Sequence, residues 1–198
     1  MSFLEDHCTL RLLNQELLDT CSPFICDDAD LNDFFINDCI AYNNELLGRT
    51  YCFTLDTDPS QIVCAFTVSN DSIKARLLPK PSKNRLNRNV NNQKRGLKSY
   101  PAVLIGRLGV AQSFEGRGIG KELMDFIKAW FIDGANKTGC RFVVVDAYNQ
   151  PKVLSYYKKN GYQSLFHSEE EEKEYSAIQS DDQLETRLLF FDLILLIK

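Results

Sequence analysis

Histidine is scarce in this chain of 198 residues: His7 and His167 are the only two. Seven cysteines are present, at 8, 21, 26, 39, 52, 64 and 140, yet no two are spaced as C-x-x-C. Cys21 and Cys26 bracket a turn, but with so little histidine a zinc centre has little support and no metal is expected. An odd cysteine count with members inside apolar runs, as in Tyr51-Cys52-Phe53 and Val63-Cys64-Ala65, reads as small buried hydrophobes in a reducing compartment. The opening MSFLEDHC has acidic residues and no basic segment ahead of an apolar one, so a secretory signal is not expected. No apolar run reaches the roughly 18 residues that a membrane span needs. The stretch LLFFDLILLI at 188–197 is too short and carries Asp192. The net charge of −4 is too mild to imply an overall attraction to nucleic acid or membrane. A cytoplasmic protein without a membrane span is the expectation.

What is present suits one α/β domain over 1–198, with 44% apolar and 25% charged residues. CTLRLL at 8–13 alternates as a first strand. Asp30, in the cluster Asp27, Asp28, Asp30, is a candidate N-cap for a helix LNDFFINDCIAYNNELLG that stops at Gly48. Strands at 49–55 and 61–69, joined by the turn DTDPS, should pair as an antiparallel hairpin. Residues 71–100 then carry nine lysines or arginines against one aspartate, with Pro79 and Pro81 and no sustained period. That predicts a long, mostly irregular and mobile surface loop, either a solvated insertion or a basic surface for an anionic partner, nucleic acid above all. Further strands are expected at 140–147, 162–166 and 187–197. A helix is expected from about 118 to 137, another at 151–160, and an acidic loop at about 168–185. The element order implies a mixed sheet with helices.

The organising stretch is IGRLGVAQSFEGRGIGKELM, residues 105–124. An apolar strand runs into a polar turn and then into an amphipathic helix, with glycines at 116, 118 and 120 where loop becomes helix. Side-chain-free backbone at a helix start offers N–H groups to an anion, and the helix dipole adds to the attraction. A pyrophosphate is the natural guest.

These residues resemble the GNAT superfamily of acetyl-CoA-dependent N-acetyltransferases. The first match is RLGVAQSFEGRGIGKELM, similar to that family's pyrophosphate motif Q/R-x-x-G-x-G/A, which falls here on Glu115, Gly118 and Gly120. The second is SYYKKNGYQ, similar to its aromatic-Tyr-x-x-x-Gly-Phe segment, with Gly161 and Tyr162 as the final pair. The element order is the third. The resemblance implies the GNAT fold, a central mixed, mostly antiparallel sheet flanked by helices, and acetyl-CoA as the acyl donor. It places Tyr157 as general acid, with Tyr156 as the fallback if the register slips by one. Leu108, Gly109 and Val110 would hold the pantetheine arm, the Val110 N–H polarising the thioester carbonyl. Glu115, Gly116, Arg117, Gly118, Ile119, Gly120 and Lys121 would form the phosphate cradle, and Asn149 or Gln150 would touch the coenzyme. Glu115 departs from the usual Gln or Arg, so the positive charge would come from Arg117 and Lys121. No histidine lies near the motifs, leaving Asp146 or a water as the candidate base.

Within the superfamily, FICDDADLNDFFINDCI and YPAVLIGRLGV resemble the GNAT toxins of bacterial toxin–antitoxin pairs, which acetylate the α-amine of aminoacyl-tRNA. Phe24, Cys26, Leu31 and Phe34 fit that branch's first segment, whereas Asp27 and Asn32 replace its Gly and Asp. The resemblance implies aminoacyl-tRNA as acceptor, met by the basic segment, with an antitoxin protein and a second copy of the chain as further partners. Acetylation of a protein N-terminus, polyamine or other small amine is the alternative within the enzyme class, and a catalytically degenerate binding module is the alternative outside it.

Overall fold

The computed structural model describes residues 2–179 and 181–197. In chain order, helix α1 (Phe3–His7) leads into strand β1 (Cys8–Leu12), and α2 (Gln15–Thr20) follows. A helical segment made of α3 (Ala29–Asp33), a π-turn (Phe34–Asp38) and α4 (Cys39–Asn44) precedes β2 (Arg49–Leu55) and β3 (Asp58–Ile73). Next come α5 (Lys80–Leu86), β4 (Tyr100–Val110), α6 (Ile119–Ile132), β5 (Phe142–Tyr148) and α7 (Pro151–Lys159). The chain finishes through β6 (Gln163–Ser164), α8 (Glu169–Ser176) and β7 (Thr186–Asp192). The seven strands form one sheet in the order β1-β2-β3-β4-β5-β7-β6, the mixed α/β architecture that the element order implies. The pairs β1/β2, β2/β3, β5/β7 and β6/β7 are antiparallel. Two compact units divide the chain: residues up to Ser69 with Ile105–Ile127, and Asn70–Leu104 with the chain from Lys128 on.

In the first unit, β2 pairs with β3 from Arg49↔Val68 onward, the expected hairpin. The buried Thr50 and Thr67 hydroxyls bond to each other at 2.9 Å. Asn43 is buried and ties the end of α4 to the strands, donating to the Leu13 carbonyl (3.0 Å) and accepting from the Thr50 N–H (2.9 Å). The helical segment starts two residues earlier than Asp30 would place it. The Asp28 carboxylate accepts from the Asp30 and Leu31 N–H groups at 3.0 and 3.1 Å, a standard N-cap geometry. Asn32 explains its own departure from the toxin-like pattern. Its carboxamide accepts from the Cys26 N–H (2.7 Å) and donates to the Cys26 carbonyl (2.9 Å), and an aspartate could only accept. In the π-turn the Cys39 N–H reaches the Phe34 carbonyl five residues back, and the adjacent Phe34 and Phe35 are both buried.

The second unit corrects the reading of 71–100 as irregular and mobile. The segment is ordered: β3 runs on to Ile73, α5 spans Lys80–Leu86, and short 3-10 turns occupy Asn87–Asn89 and Asn92–Lys94. Pro79 and Pro81 stand at the start of α5, where a missing N–H costs nothing. Leu78, Leu86, Val90 and Tyr100 reach a core shared with Phe142, Val144, Phe166 and Phe190. Tyr100 donates its hydroxyl to Asn87 (2.8 Å), and Arg95 donates Nε to the Val90 carbonyl (3.0 Å). The apolar anchors at 78, 86 and 90 are too sparse among charged and polar neighbours to announce a shared destination.

The acidic tract is corrected in the same way. Residues 169–176 form α8, whose first-turn glutamates suit the positive end of a helix and whose Ser168 caps it. Glu172 is buried, accepting from Arg187 Nε at 2.6 Å and from the Leu188 N–H. The continuous apolar run of β5 is buried on both faces, Phe142 to Val145 all lying at or below 1% exposure. The last strand ends at Asp192, five residues short of the expected boundary, and continues as a 3-10 turn, Leu193–Leu196. Leu86→Ala should lower unfolding free energy by about 2–5 kcal/mol in denaturant melts, as a fully packed leucine does. A mobile loop residue would leave the melt unchanged.

Candidate active site

The first unit contains the loop expected to bind an anion. After β4, the Ala111 N–H bonds to the Val63 carbonyl (2.9 Å) and the Gln112 N–H to the Ile25 carbonyl (2.8 Å), anchoring the turn. Buried Phe114 and Ile119 pin the loop at each end. Between them, Gly116 and Gly118 adopt φ of +71° and +82°. A Cβ at either would meet nothing within 4 Å, so glycine is required there by backbone conformation rather than by space. The Gly118 carbonyl accepts from the Lys121 and Glu122 N–H groups (3.0 and 3.2 Å) and so starts α6. The N–H groups of Gly116, Arg117, Gly118 and Ile119 donate to no acceptor among the described residues. Successive N–H groups of this kind form an anion-binding nest.

The charges around the nest differ from expectation in one respect. Lys121 is taken by Asp125 at 2.5 Å, so of the two expected cations Arg117 alone lacks a carboxylate partner among the described residues. The Arg117 guanidinium lies 5.3 Å from the centre of the Phe114 ring. Glu115 is exposed, where solvent can screen its carboxylate. Within β4, Leu108 and Val110 are half-buried and Gly109 is buried. At Gly109 the reason is packing: a Cβ would come within 3.2 Å of Phe24 Cζ.

The second unit contains the tyrosine helix. The SYYKKNGYQ segment is, physically, a helix end of the Schellman type. Gly161 takes φ of +84°, its N–H bonds to the Lys158 carbonyl (3.0 Å), and the Tyr162 N–H bonds to the Tyr157 carbonyl (3.0 Å). The hydrophobic contact that accompanies such an end is the edge-on pair Tyr157–Tyr162, with ring centres 5.5 Å apart. Tyr156 packs edge-on against Tyr157 from the other side at 5.2 Å. Burial pushes the Tyr157 hydroxyl up to about 12, and it bonds to no described residue. The spacing Tyr-x-x-x-Gly-Tyr is thus set by helix-end geometry.

Other expected residues are placed less simply. Asn149 donates its Nδ2 hydrogens to Glu169 (3.1 Å) and the Leu184 carbonyl (2.9 Å), whereas Gln150, at the N-cap of α7, is exposed. Asp146 lines a cavity of about 270 Å³ in the second unit, with Asp71, Glu172 and Tyr175 and walls that include Ile73 and Leu184. Desolvation within the cavity and the nearby Asp71 push its carboxyl up, although Asp146 keeps an exposed side to solvent. Two residues went unnoticed in the sequence. Asp71 is the single aspartate of the basic run, and Lys128 belongs to neither motif. The signal for Lys128 was its place on α6 four residues after Met124, on the buried face. Gly161→Ala should destabilise by about 1–3 kcal/mol in denaturant melts, because φ is positive and the new Cβ would lie 3.0 Å from Phe191 Cε2.

Residues 88–164, which hold both motifs, match the family model described as an acetyltransferase (GNAT) domain. Among solved structures, a tyrosine-to-phenylalanine mutant of KacT is similar at 19% identity and TM-score 0.68, over 97% of this chain and 98% of that one. AtaT complexed with acetyl-methionyl-tRNAfMet is similar at 19% identity and TM-score 0.63, over 96% and 99%. AtaTR bound with AcCoA is similar at 20% identity and TM-score 0.64, over 98% and 99%. Identities this low establish a shared fold, and the family model adds the domain type. Residues 88–164 thus match the pattern of an acetyltransferase (GNAT) domain, and the chain shares its fold with these structures.

Proposed function

We propose that the protein moves an acetyl group from acetyl-CoA to a primary amine by direct attack, with the α-amine of aminoacyl-tRNA as the acceptor. The observation that carries the acetyl-CoA part is the nest of undonated N–H groups at Gly116, Arg117, Gly118 and Ile119, which suits a pyrophosphate. Backbone groups dominate this cradle, so Glu115 and the paired Lys121 weaken it without abolishing it. Arg117 adds the cation of that pair that has no carboxylate partner among the described residues, and Gly120 continues the loop into α6. Leu108, Gly109 and Val110 would receive the pantetheine arm, the Val110 N–H polarising the carbonyl as the amine attacks. Gln150 is better placed than Asn149 for a coenzyme contact, since the Asn149 amide hydrogens are already donated.

Tyr157 is the proton donor to the departing thiolate. A hydroxyl pushed up to about 12 keeps its proton throughout the neutral range. A thiolate held in equally dry surroundings is destabilised by the same desolvation, which narrows the gap between donor and acceptor. Tyr157→Phe should lower kcat by about 10²–10⁴-fold, with little change in the KM for acetyl-CoA. Because the donor acts while protonated and its pKa is raised, it should impose no alkaline limb on wild-type kcat below about pH 11. Wild-type turnover in Tyr157→Phe would remove it from the mechanism, and the absence of a thermal shift with coenzyme would remove the coenzyme site.

The acceptor rests on charge and on proton economy. Lys80, Arg88, Lys94 and Lys98 are exposed, with no carboxylate partner among the described residues. An α-amine with a pKa of about 7.7–8.0 has a useful neutral fraction near pH 7 and needs no strong base. The fold shared with AtaT, whose structure with acetyl-methionyl-tRNAfMet is known, supports the same reading. The proposal extends to a toxin role opposed by an antitoxin protein, with the chain acting as a dimer in the cytoplasm. Arg85 donates to the Ser164 and Phe166 carbonyls, and Arg95 to Val90, so neither belongs in the test set. Reversing charge at Lys80, Arg88 and Lys94 should weaken tRNA binding about tenfold or more at low salt, with the gap to wild type closing as salt rises. Unchanged binding would overturn the tRNA reading. The cavity lined by Asp71 and Asp146 favours a second reading, a small cationic amine as acceptor. Acetyl transfer to spermidine in preference to aminoacyl-tRNA would select it.

A further inference from the structure

Lys128 is a lysine on the buried face of α6, with 5% of its surface exposed. Its Nζ donates to the Asn160 carbonyl at 2.7 Å. The same ammonium sits 4.6 Å from the centre of the Phe191 ring and 5.7 Å from that of Tyr162. Asn160 is the C-cap of α7, and the Schellman bonds of that helix end already occupy the Tyr157 and Lys158 carbonyls. The Asn160 carbonyl is left over, buried, and satisfied by Lys128. A positive charge is also favoured at a helix C-terminus, and two aromatic faces partly replace its lost water. Burying an ammonium is still expensive, and a methionine or leucine would pack on this face at no such cost. What the charged donor provides is a fixed end to α7. Three residues back from Asn160 along that helix is Tyr157, whose ring is already wedged between Tyr156 and Tyr162.

We infer that Lys128 is a positioning residue: a buried ammonium that completes the cap of α7 and thereby holds the Tyr157 hydroxyl in place for proton transfer. The inference rests on Tyr157 being the proton donor. Small misplacements of a reacting group are costly in rate, so the effect belongs in kcat rather than in coenzyme affinity.

The test is a double-mutant cycle on the full chain. Acetyl transfer is followed as thiol release from acetyl-CoA, with methionyl-tRNA, spermidine and an N-terminal peptide as amines in parallel. Lys128→Met keeps the reach of the side chain but removes charge and donor. It should lower kcat by about tenfold or more and leave the KM for acetyl-CoA within about twofold. In the Tyr157→Phe background the same change should have no further effect on kcat. Lys128→Gln keeps a donor for the Asn160 carbonyl and should recover part of the rate; it carries the cycle if Lys128→Met fails to fold. Wild-type kcat in Lys128→Met, or multiplicative losses in the double mutant, would overturn the positioning role. Full turnover in Tyr157→Phe alone would instead overturn the proton-donor reading, so the two failures are told apart.

Discussion

Left-handed backbone at three glycines is the constraint on which both candidate motifs depend. Gly116 and Gly118 turn the chain so that consecutive N–H groups ahead of α6 donate to no acceptor among the described residues, and Gly161 ends α7 so that Tyr162 folds back onto Tyr157. An L-residue with a Cβ resists that conformation by an energy comparable to a hydrogen bond. The two glycine sites differ in what else they require. Open space surrounds positions 116 and 118, so the loop is set by torsion alone, whereas Gly161 also makes room for Phe191. One is a cradle waiting for charge, and the other is a packed joint.

Electrostatics then sort the charged residues into working and structural groups. Arg85, Arg95, Arg141 and Arg187 each donate to carbonyls or carboxylates of their own unit. Arg141 meets the buried Asp192, and Arg187 meets the buried Glu172, so part of the formal charge of the chain serves to hold β7 and its neighbours. What remains for a partner is the exposed set on and around α5. Burial has the same sorting effect on the thiols. It pushes Cys52 up to about 12 and Cys39 and Cys140 up to about 11, which keeps them protonated and unreactive as small hydrophobes.

Local chemistry could be read without coordinates wherever neighbours in sequence decide the outcome. The loop at 115–121 and the helix end at 157–162 are set by torsions and hydrogen bonds that span six residues or fewer, so residue order alone announces them. The same holds for the β2–β3 hairpin and for the unbroken apolar run of β5. Domain type followed from having both motifs in one chain.

Tertiary structure decided what depends on distant partners. Residues 71–100 read as irregular because Leu78, Leu86 and Val90 are too sparse to define a period, yet all three join Phe142 and Phe190 in one core. The acidic tract seemed solvated until Arg187, fifteen residues on, claimed Glu172. Lys128 could not be told from any exposed lysine until α6 delivered it to a carbonyl 32 residues away. The amino-acid order alone determined the conformations that single residues impose, which is why the glycines and the tyrosine motif were legible. Which charges are buried, and therefore which are left for a ligand, was settled only by packing, because desolvation is a property of the assembled surroundings rather than of the residue.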